Sequence, residues 1–236
     1  SSATGEMIGI AEKAGAAVSD MEYIQCNLGP DVGYTHRSGY HLDVTRHVLV
    51  NIHGKRFVAE DGARDYLRDA VLQQPNKIVF SIVDRNGFQN LSSLFQQAGI
   101  LGEMEGEHFE SNDLGTLAKK MKVPPENLVN TIKEYNQAVE TKKDPYGREV
   151  WMLTQKIETP PFYAARVRMA VHYTMGGIVI NENAQVLTKE REPIKGLYAA
   201  GEVTTGVHGS NRVGGNGLLD AFVFGRIAGE NAAVGL

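Results

Sequence analysis

Near the C-terminus, Gly196-Leu-Tyr-Ala-Ala-Gly-Glu202 runs into Gly206-Val-His-Gly-Ser-Asn-Arg-Val-Gly-Gly-Asn216. A short apolar strand ends in Gly-Glu, a glycine-dense loop follows, and a long apolar helix is expected from Leu218 to Ala233. That order sets backbone N–H groups and one carboxylate around a polar, partly anionic ligand. Upstream, no strand is followed by G-x-G-x-x-G, so the sequence carries half of a dinucleotide site and not the other half.

With 236 residues the chain can bury a substantial core and form one or two domains. Its net charge of −4 offers no basic field for nucleic acid. The seven histidines show no H-x-x-x-H or Cys–His spacing, so no metal site is expected. A single cysteine, Cys26, excludes an internal disulfide and c-type haem attachment. No run of eighteen apolar residues suits a membrane span, and the first residues lack the pattern of a signal peptide. The chain is expected to start in mid-fold, with Ala3-Thr-Gly-Glu6 entering a helix.

Thr4 is the expected N-cap of a helix reaching about Ala16 and closed by Gly15. Met21–Gln25 reads as a strand, and Gly29–Gly39 as a loop crossing between domains. Val48–Asn51, a turn at His53-Gly54 and Arg56–Val58 suggest a hairpin. A helix is expected over Asp61–Leu72, a strand over Lys77–Val83, and helical stretches over Phe88–Gln97 and Leu114–Met121. The clearest helix follows Pro124-Pro125, with Leu128, Val129, Ile132, Tyr135, Asn136 and Val139 on one face. Asp144–Gly147 is a turn, Phe162–Ile180 returns to strands broken at Gly176-Gly177, and Ile194–Ala200 is another strand. The fold class is therefore α/β at both ends around a mixed α+β middle.

Gln25, the Gly54-x-Arg56-Phe57 turn, Arg64, His172-Tyr-Thr-Met-Gly-Gly177 and the two C-terminal motifs together resemble the flavoprotein fumarate reductase family. The likeness is greatest to the soluble flavocytochrome c type and to relatives acting on other unsaturated acids, urocanate among them. It implies a glutathione-reductase-like FAD-binding domain with an inserted α+β capping domain. On this reading residues 1–27 and 172–236 are FAD-binding segments and 28–171 the capping domain. The segment expected to hold the adenosine and pyrophosphate is not found, which implies a fragment, a nicked chain or one subunit of a split protein. The resemblance also implies two partners, the Rossmann segment and an electron donor that is haem-, FMN- or NADH-linked.

The resemblance assigns roles residue by residue. His172 and Arg212 match the ligands of a substrate carboxylate. Bidentate guanidinium and imidazole donors suit that group, and they draw electron density so that hydride from flavin N5 can add at the β-carbon. Arg64 matches the proton donor; the simpler alternative is an ion pair with Asp61 or Asp65 on a helix surface. An ungapped alignment puts Tyr40 and Asp43 where the family has its proton relay, and Asn27 and Gly39 where it holds a second carboxylate. Gln25 completes the substrate set. Asn and Gly are less cationic and roomier, which implies a monocarboxylic substrate with a bulkier tail, such as an aryl acrylate or urocanate. The imidazole-binding Tyr and Asp of urocanate-type relatives would fall on Cys26 and His41, an imperfect match.

Glu202 matches the acid on the flavin ribityl chain. Gly214, Gly215 and Asn216 would face the isoalloxazine at a helix N-terminus, with Asn211, Met175 and Gly176 completing the cofactor set. His208 is expected to brace the loop, and Cys26 to be a small buried residue. The reading is an FAD-dependent reductase of the C=C bond of an α,β-unsaturated carboxylic acid. Its rivals are a fumarate reductase proper, a 3-oxosteroid-type flavin dehydrogenase and a ligand-binding module without FAD. The compartment stays open, since flavocytochrome relatives are periplasmic and others cytoplasmic.

Overall fold

A computed structural model describes residues 4–31, 33, 34 and 36–235. In chain order its elements are α1 (Glu6–Lys13), β1 (Val18–Ser19), β2 (Ile24–Gly29), β3 (Val48–Asn51), α2 (Arg64–Leu72), β4 (Val79–Val83), α3 (Arg85–Gln89) and α4 (Ser93–Glu105). Then follow β5 (His108–Ser111), α5 (Leu114–Met121), α6 (Pro125–Thr141), β6 (Phe162–Thr174), β7 (Gly177–Val179), β8 (Gln185–Leu187), β9 (Pro193–Tyr198), β10 (Thr204–Thr205) and α7 (Asn216–Val234). Two compact units emerge, residues 1–26 with 171–236, and residues 27–170.

In the discontinuous unit, β7 pairs antiparallel with β1 and parallel with β10, and β8–β9 forms a separate hairpin. Ala11 and Ala16 pack with Ile178 and Val186 in its core. Gly5, at φ 75, caps α1 in place of the expected Thr4, and no side chain caps that end. Ala3 lies outside the described residues. The expected Met21–Gln25 strand starts late, at Ile24. Met21 instead sits in a turn in which the Tyr23 N–H donates to the Asp20 carbonyl.

Gly176 and Gly177 are required by crowding within this unit. A Cβ on Gly176 would lie 2.4 Å from the Asp20 carbonyl oxygen, and one on Gly177 2.2 Å from that of Val203. Helix α7 is apolar, as expected, yet Asp220 is its one buried residue among those described. Leu218, Leu219 and Phe222 are exposed.

The continuous unit is built on an antiparallel run β3–β4–β6, extended by β2 and by β5, both on β6. All five β4 residues are buried, because both faces of the sheet are covered and alternate residues serve different cores. Phe80 and Ile82 meet Leu128, Ile132 and Tyr135 of α6, while Val79 and Val83 meet Leu28, Tyr40 and Val71. The α6 stripe is thus core, although Val129 is exposed and Asn136 uses both ends of its amide on the Ile157 backbone. Each of these apolar side chains contributes roughly 1.5–3 kcal/mol on full burial. The stretch read as one helix over Phe88–Gln97 is two helices, and β5 was not expected.

The Gly-x-Arg-Phe turn anchors a buried ionic network. Gly54, at φ 70, brings the chain against the first turn of α6, where a Cβ would lie 3.1 Å from the Leu128 nitrogen. The Arg56 guanidinium donates to both Glu60 oxygens, at 2.9 Å to Oε1 and 2.6 Å to Oε2, and also to Asp144. Arg148 donates to Glu60 as well, and at 2.9 Å to the His47 carbonyl and to the Tyr135 hydroxyl. Two guanidiniums face two carboxylates, so the burial is charge-neutral. Glu60 is held below the usual carboxylate range: its burial alone would raise it, but Arg148 and Arg56 outweigh that.

His47, 1% exposed at the edge of this network, is pushed down to about 4, chiefly by burial and further by Arg148, against the opposing pull of Glu60. The folded state therefore disfavours the protonated ring, and the unfolded chain takes up the proton first. Stability from this group is complete above about 6.5, the usual histidine value, and is lost as pH falls toward about 4. On the order of 3 kcal/mol is at stake. Urea unfolding of the chain and of His47→Gln between those pH values should show a steeper acid loss in the parent; parallel curves contradict this.

Candidate active site

Arg212 stands in the loop between β10 and α7, where Gly206, Gly209 and Gly215 all take positive φ. Its guanidinium lies 4.3 Å above the Tyr173 ring centroid. Gln25 holds it at both ends. Gln25 Oε1 accepts from Arg212 Nη2 at 3.0 Å, and Gln25 Nε2 donates to the Arg212 carbonyl at 2.6 Å and to Asn211 Oδ1 at 2.9 Å. Arg212 Nη1 donates to the Val213 carbonyl at 3.2 Å. The side chain is buried, and its Nε–H has no hydrogen-bond partner among the described residues.

All these braces are electrically neutral. Arg56, Arg148, Arg166 and Arg168 each have a carboxylate within 4 Å, but none of the described ion pairs includes Arg212. A buried cation with an orphan N–H and no counter-charge is costly unless an anion completes it.

Tyr173 is itself pinned from behind. Its hydroxyl lies 3.5 Å from Asp220 Oδ2, His208 Nε2 lies 3.4 Å from the same oxygen, and the His208 ring meets the Tyr173 ring edge-on at 5.7 Å. Burial, with Asp220 adding, pushes the Tyr173 phenol up to about 12. His208 thus braces the loop as expected. Asp220 was not foreseen, and its trace in the sequence is a lone acid in the apolar run Leu218-Leu-Asp-Ala-Phe222. His172 is the strand neighbour of Tyr173; it is exposed where Tyr173 is buried, so the two leave β6 on opposite faces.

Among the residues expected at the cofactor, Glu202 Oε1 accepts the Thr174 N–H at 3.0 Å. Met175 is buried, with its N–H on the Tyr23 carbonyl. Gly176 faces the unit's own backbone, so its lack of a side chain is explained by packing and needs no flavin. Gly215 caps α7 at φ 89 with no side-chain cap, and a Cβ there would meet nothing within 4 Å. Gly214 and Asn216 flank it. This open, uncapped N-terminus of a nineteen-residue helix leaves first-turn N–H groups for an anionic ligand edge. These residues fit a flavin's electron-rich edge.

In the continuous unit Arg64 opens α2. Its electrostatic neighbours include Arg37 and His41, whose Nη2 and Nε2 lie 3.1 Å apart. Arg37 was not expected there, and His41 entered the sequence reading only as the residue aligned with an imidazole-binding Asp; the signal was their i,i+4 spacing in a loop otherwise read for its glycines. Burial, then Arg37, His47 and Arg64, pushes His41 far down, so its ring is neutral.

The Tyr40–Asp43 proton path is not formed. Asp43 accepts from the Thr45 N–H at 3.0 Å and from Asn90 at 2.9 Å, and pairs with Arg46 at 3.1 Å. Tyr40 turns into the core against Phe88 and His108. Asn27 Oδ1 is taken by the Leu28 N–H at 2.9 Å. Gly39 leaves less room than expected, because a Cβ there would strike the Phe95 ring at 2.5 Å. No group of three or more His, Cys, Asp or Glu that could hold a metal occurs among the described residues.

Residues 1–218 match a family model described as an FAD binding domain. The chain is 40% identical over 97% of its length to the NADH:acrylate oxidoreductase of Vibrio harveyi, covering 23% of that protein. It is 33% identical over 98% of its length to the urocanate reductase of Eggerthella lenta, covering 39% of it. An open-conformation flavocytochrome c3 fumarate reductase structure shares 35% identity and superposes with a TM-score of 0.69, over 98% of this chain and 40% of that one. The chain therefore spans well under half the length of these relatives.

Replacing Gln25 by Leu removes one acceptor from Arg212 Nη2 and one donor from its carbonyl. The Kd of a small carboxylate such as acetate or acrylate for the protein should rise roughly tenfold or more. Isothermal titration calorimetry measures it, and an unchanged Kd contradicts the bracing role.

Proposed function

Because this chain belongs to the FAD-binding-domain family, among the fumarate reductase-like flavoproteins, we propose that it serves an FAD-dependent reductase of the C=C bond of an α,β-unsaturated carboxylic acid. The observation that carries this reading is Arg212, a buried guanidinium braced only by neutral groups. A carboxylate supplies the missing counter-charge and can accept its orphan N–H. His172 is the second donor on the strength of the resemblance alone, since it leaves β6 on the face opposite Tyr173. Fixing the carboxylate and withdrawing its electron density make the β-carbon electrophilic. When bound, FAD supplies the hydride that adds there. Arg64 delivers a proton to the α-carbon and is refilled from water, so C=C plus hydride plus proton gives the saturated acid.

The substrate we favour is a monocarboxylic enoate with an uncharged tail. Asn27 is neutral and offers a second carboxylate no positive charge, and Phe95 backs Gly39 where a hydroxyl donor would be needed for that carboxylate. A second reading, reduction of a dicarboxylate such as fumarate, draws on Arg37, a cation close to Arg64. Electrons would come from a haem-, FMN- or NADH-linked donor domain. The exposed Leu218, Leu219 and Phe222 of α7 support a further FAD-binding segment packing on that helix.

Anaerobic oxidation of reduced viologen by acrylate, urocanate, cinnamate and fumarate tests the assignment. A monocarboxylate should exceed fumarate in kcat/KM by at least about tenfold, and Arg212→Lys should lower that value roughly a hundredfold by losing the planar fork. Fumarate as the best substrate overturns the favoured substrate. An Arg212→Lys protein within twofold of the parent overturns the clamp.

A further inference from the structure

The continuous unit contains a cavity of about 220 Å³ whose walls include Tyr40, Phe88, His108 and Tyr163, with Glu103 and Glu110 also lining it. The aromatic walls are well ordered against one another. Phe88 stacks on Tyr163 at 4.2 Å and 12°, and Tyr40 meets Phe88 edge-on at 6.1 Å. Helix α4 approaches closely through Gly99, where a Cβ would sit 3.1 Å from both the Tyr40 hydroxyl oxygen and Phe88. The volume is below the roughly 300–1,000 Å³ of drug-sized pockets, which limits an occupant to a few heavy atoms.

Three observations give this space a sign. Tyr40 is only 2% exposed, yet its hydroxyl makes no hydrogen bond among the described residues and reaches the Gly99 wall. The carboxylates of Glu103 and Glu110 act on the phenols of both Tyr40 and Tyr163. Burial is the larger cause of the upward push on each phenol, and on Tyr163 Arg85 opposes it but ranks behind Glu110. His108 Nδ1 donates to the Gly99 carbonyl at 3.0 Å, and burial pushes this ring down, so it stays neutral and adds no positive charge. Aromatic side chains and two carboxylates around a space whose described lining has no Lys or Arg are complementary to a cation with an apolar shell.

We infer that this cavity is a second small-molecule site, one that binds a small organic ammonium ion in the space lined by Tyr40, Phe88 and Tyr163, with Glu103 and Glu110 as its counter-charge. The unpartnered Tyr40 hydroxyl is the acceptor for an N–H of a primary to tertiary ammonium; a quaternary one uses the ring faces alone. The site is independent of Arg212 and of the proposed reductase chemistry.

Choline and its uncharged carbon isostere 3,3-dimethylbutan-1-ol, titrated onto the full chain with saturation-transfer NMR, test the inference. Choline should bind saturably, with intermolecular NOEs from its methyl groups to Tyr40 and Phe88. The alcohol should bind about tenfold more weakly or not at all, and Glu103→Gln and Glu110→Gln should each weaken choline several-fold. Both glutamates are exposed, so these variants should fold; a far-UV CD melt of each checks this. Equal binding of the alcohol, unchanged choline affinity in the doubly substituted protein, or no saturable binding of choline to the parent overturns the inference.

Discussion

The pair of hydrogen bonds between Gln25 and Arg212 is the constraint on which the functional geometry rests. Arg212 lies in a loop of Gly, Ser, Asn and Val, which has little packing of its own to fix a long side chain. Gln25 reaches it from the far end of the sequence and grips side chain and backbone together. Tyr173 then covers one face of the guanidinium, and Asp220 with His208 holds Tyr173 in place. What is left is the guanidinium edge, positioned by uncharged neighbours.

Comparison of the protein's own arginines shows why that matters. Arg56 and Arg148 are as buried as Arg212 but share Glu60 and Asp144 between them. Their charge is spent inside the fold, locking the Gly-x-Arg-Phe turn to the chain after α6. Arg212 has equal burial and no such partner among the described ion pairs. One arrangement builds a stable unit; the other keeps a positive charge in reserve for an anion. The signs are reversed in the aromatic cavity, whose described lining carries two glutamates and no Lys or Arg.

Much of the fold was legible in the sequence because its signals were local. The double proline and the stripe from Leu128 to Val139 specify α6, and the Gly176-Gly177 break falls between β6 and β7. Boundaries moved where a turn competed, as at Met21 and Gly5. β5 escaped notice because His108-Phe-Glu-Ser111 is short and one-sidedly polar. In the site, the motif residues near Arg212 were readable, but the Tyr40–Asp43 path was not. Alignment position alone cannot say which way a side chain turns, and the apolar environment of Phe88 and Tyr163 drew Tyr40 inward while Thr45, Arg46 and Asn90 claimed Asp43. Asp220 was missed because its partners, Tyr173 and His208, lie elsewhere in the chain, and Arg37 because the loop was read for its glycines.

The central claim is that a negative charge on the substrate completes Arg212. It is tested most directly by comparing an unsaturated acid with its primary amide, which keeps the olefin and the shape but removes the anion, in anaerobic turnover by the flavin-loaded protein. The account predicts turnover of the acid and a loss of kcat/KM for the amide of roughly a hundredfold or more. Equal turnover of the two would contradict it.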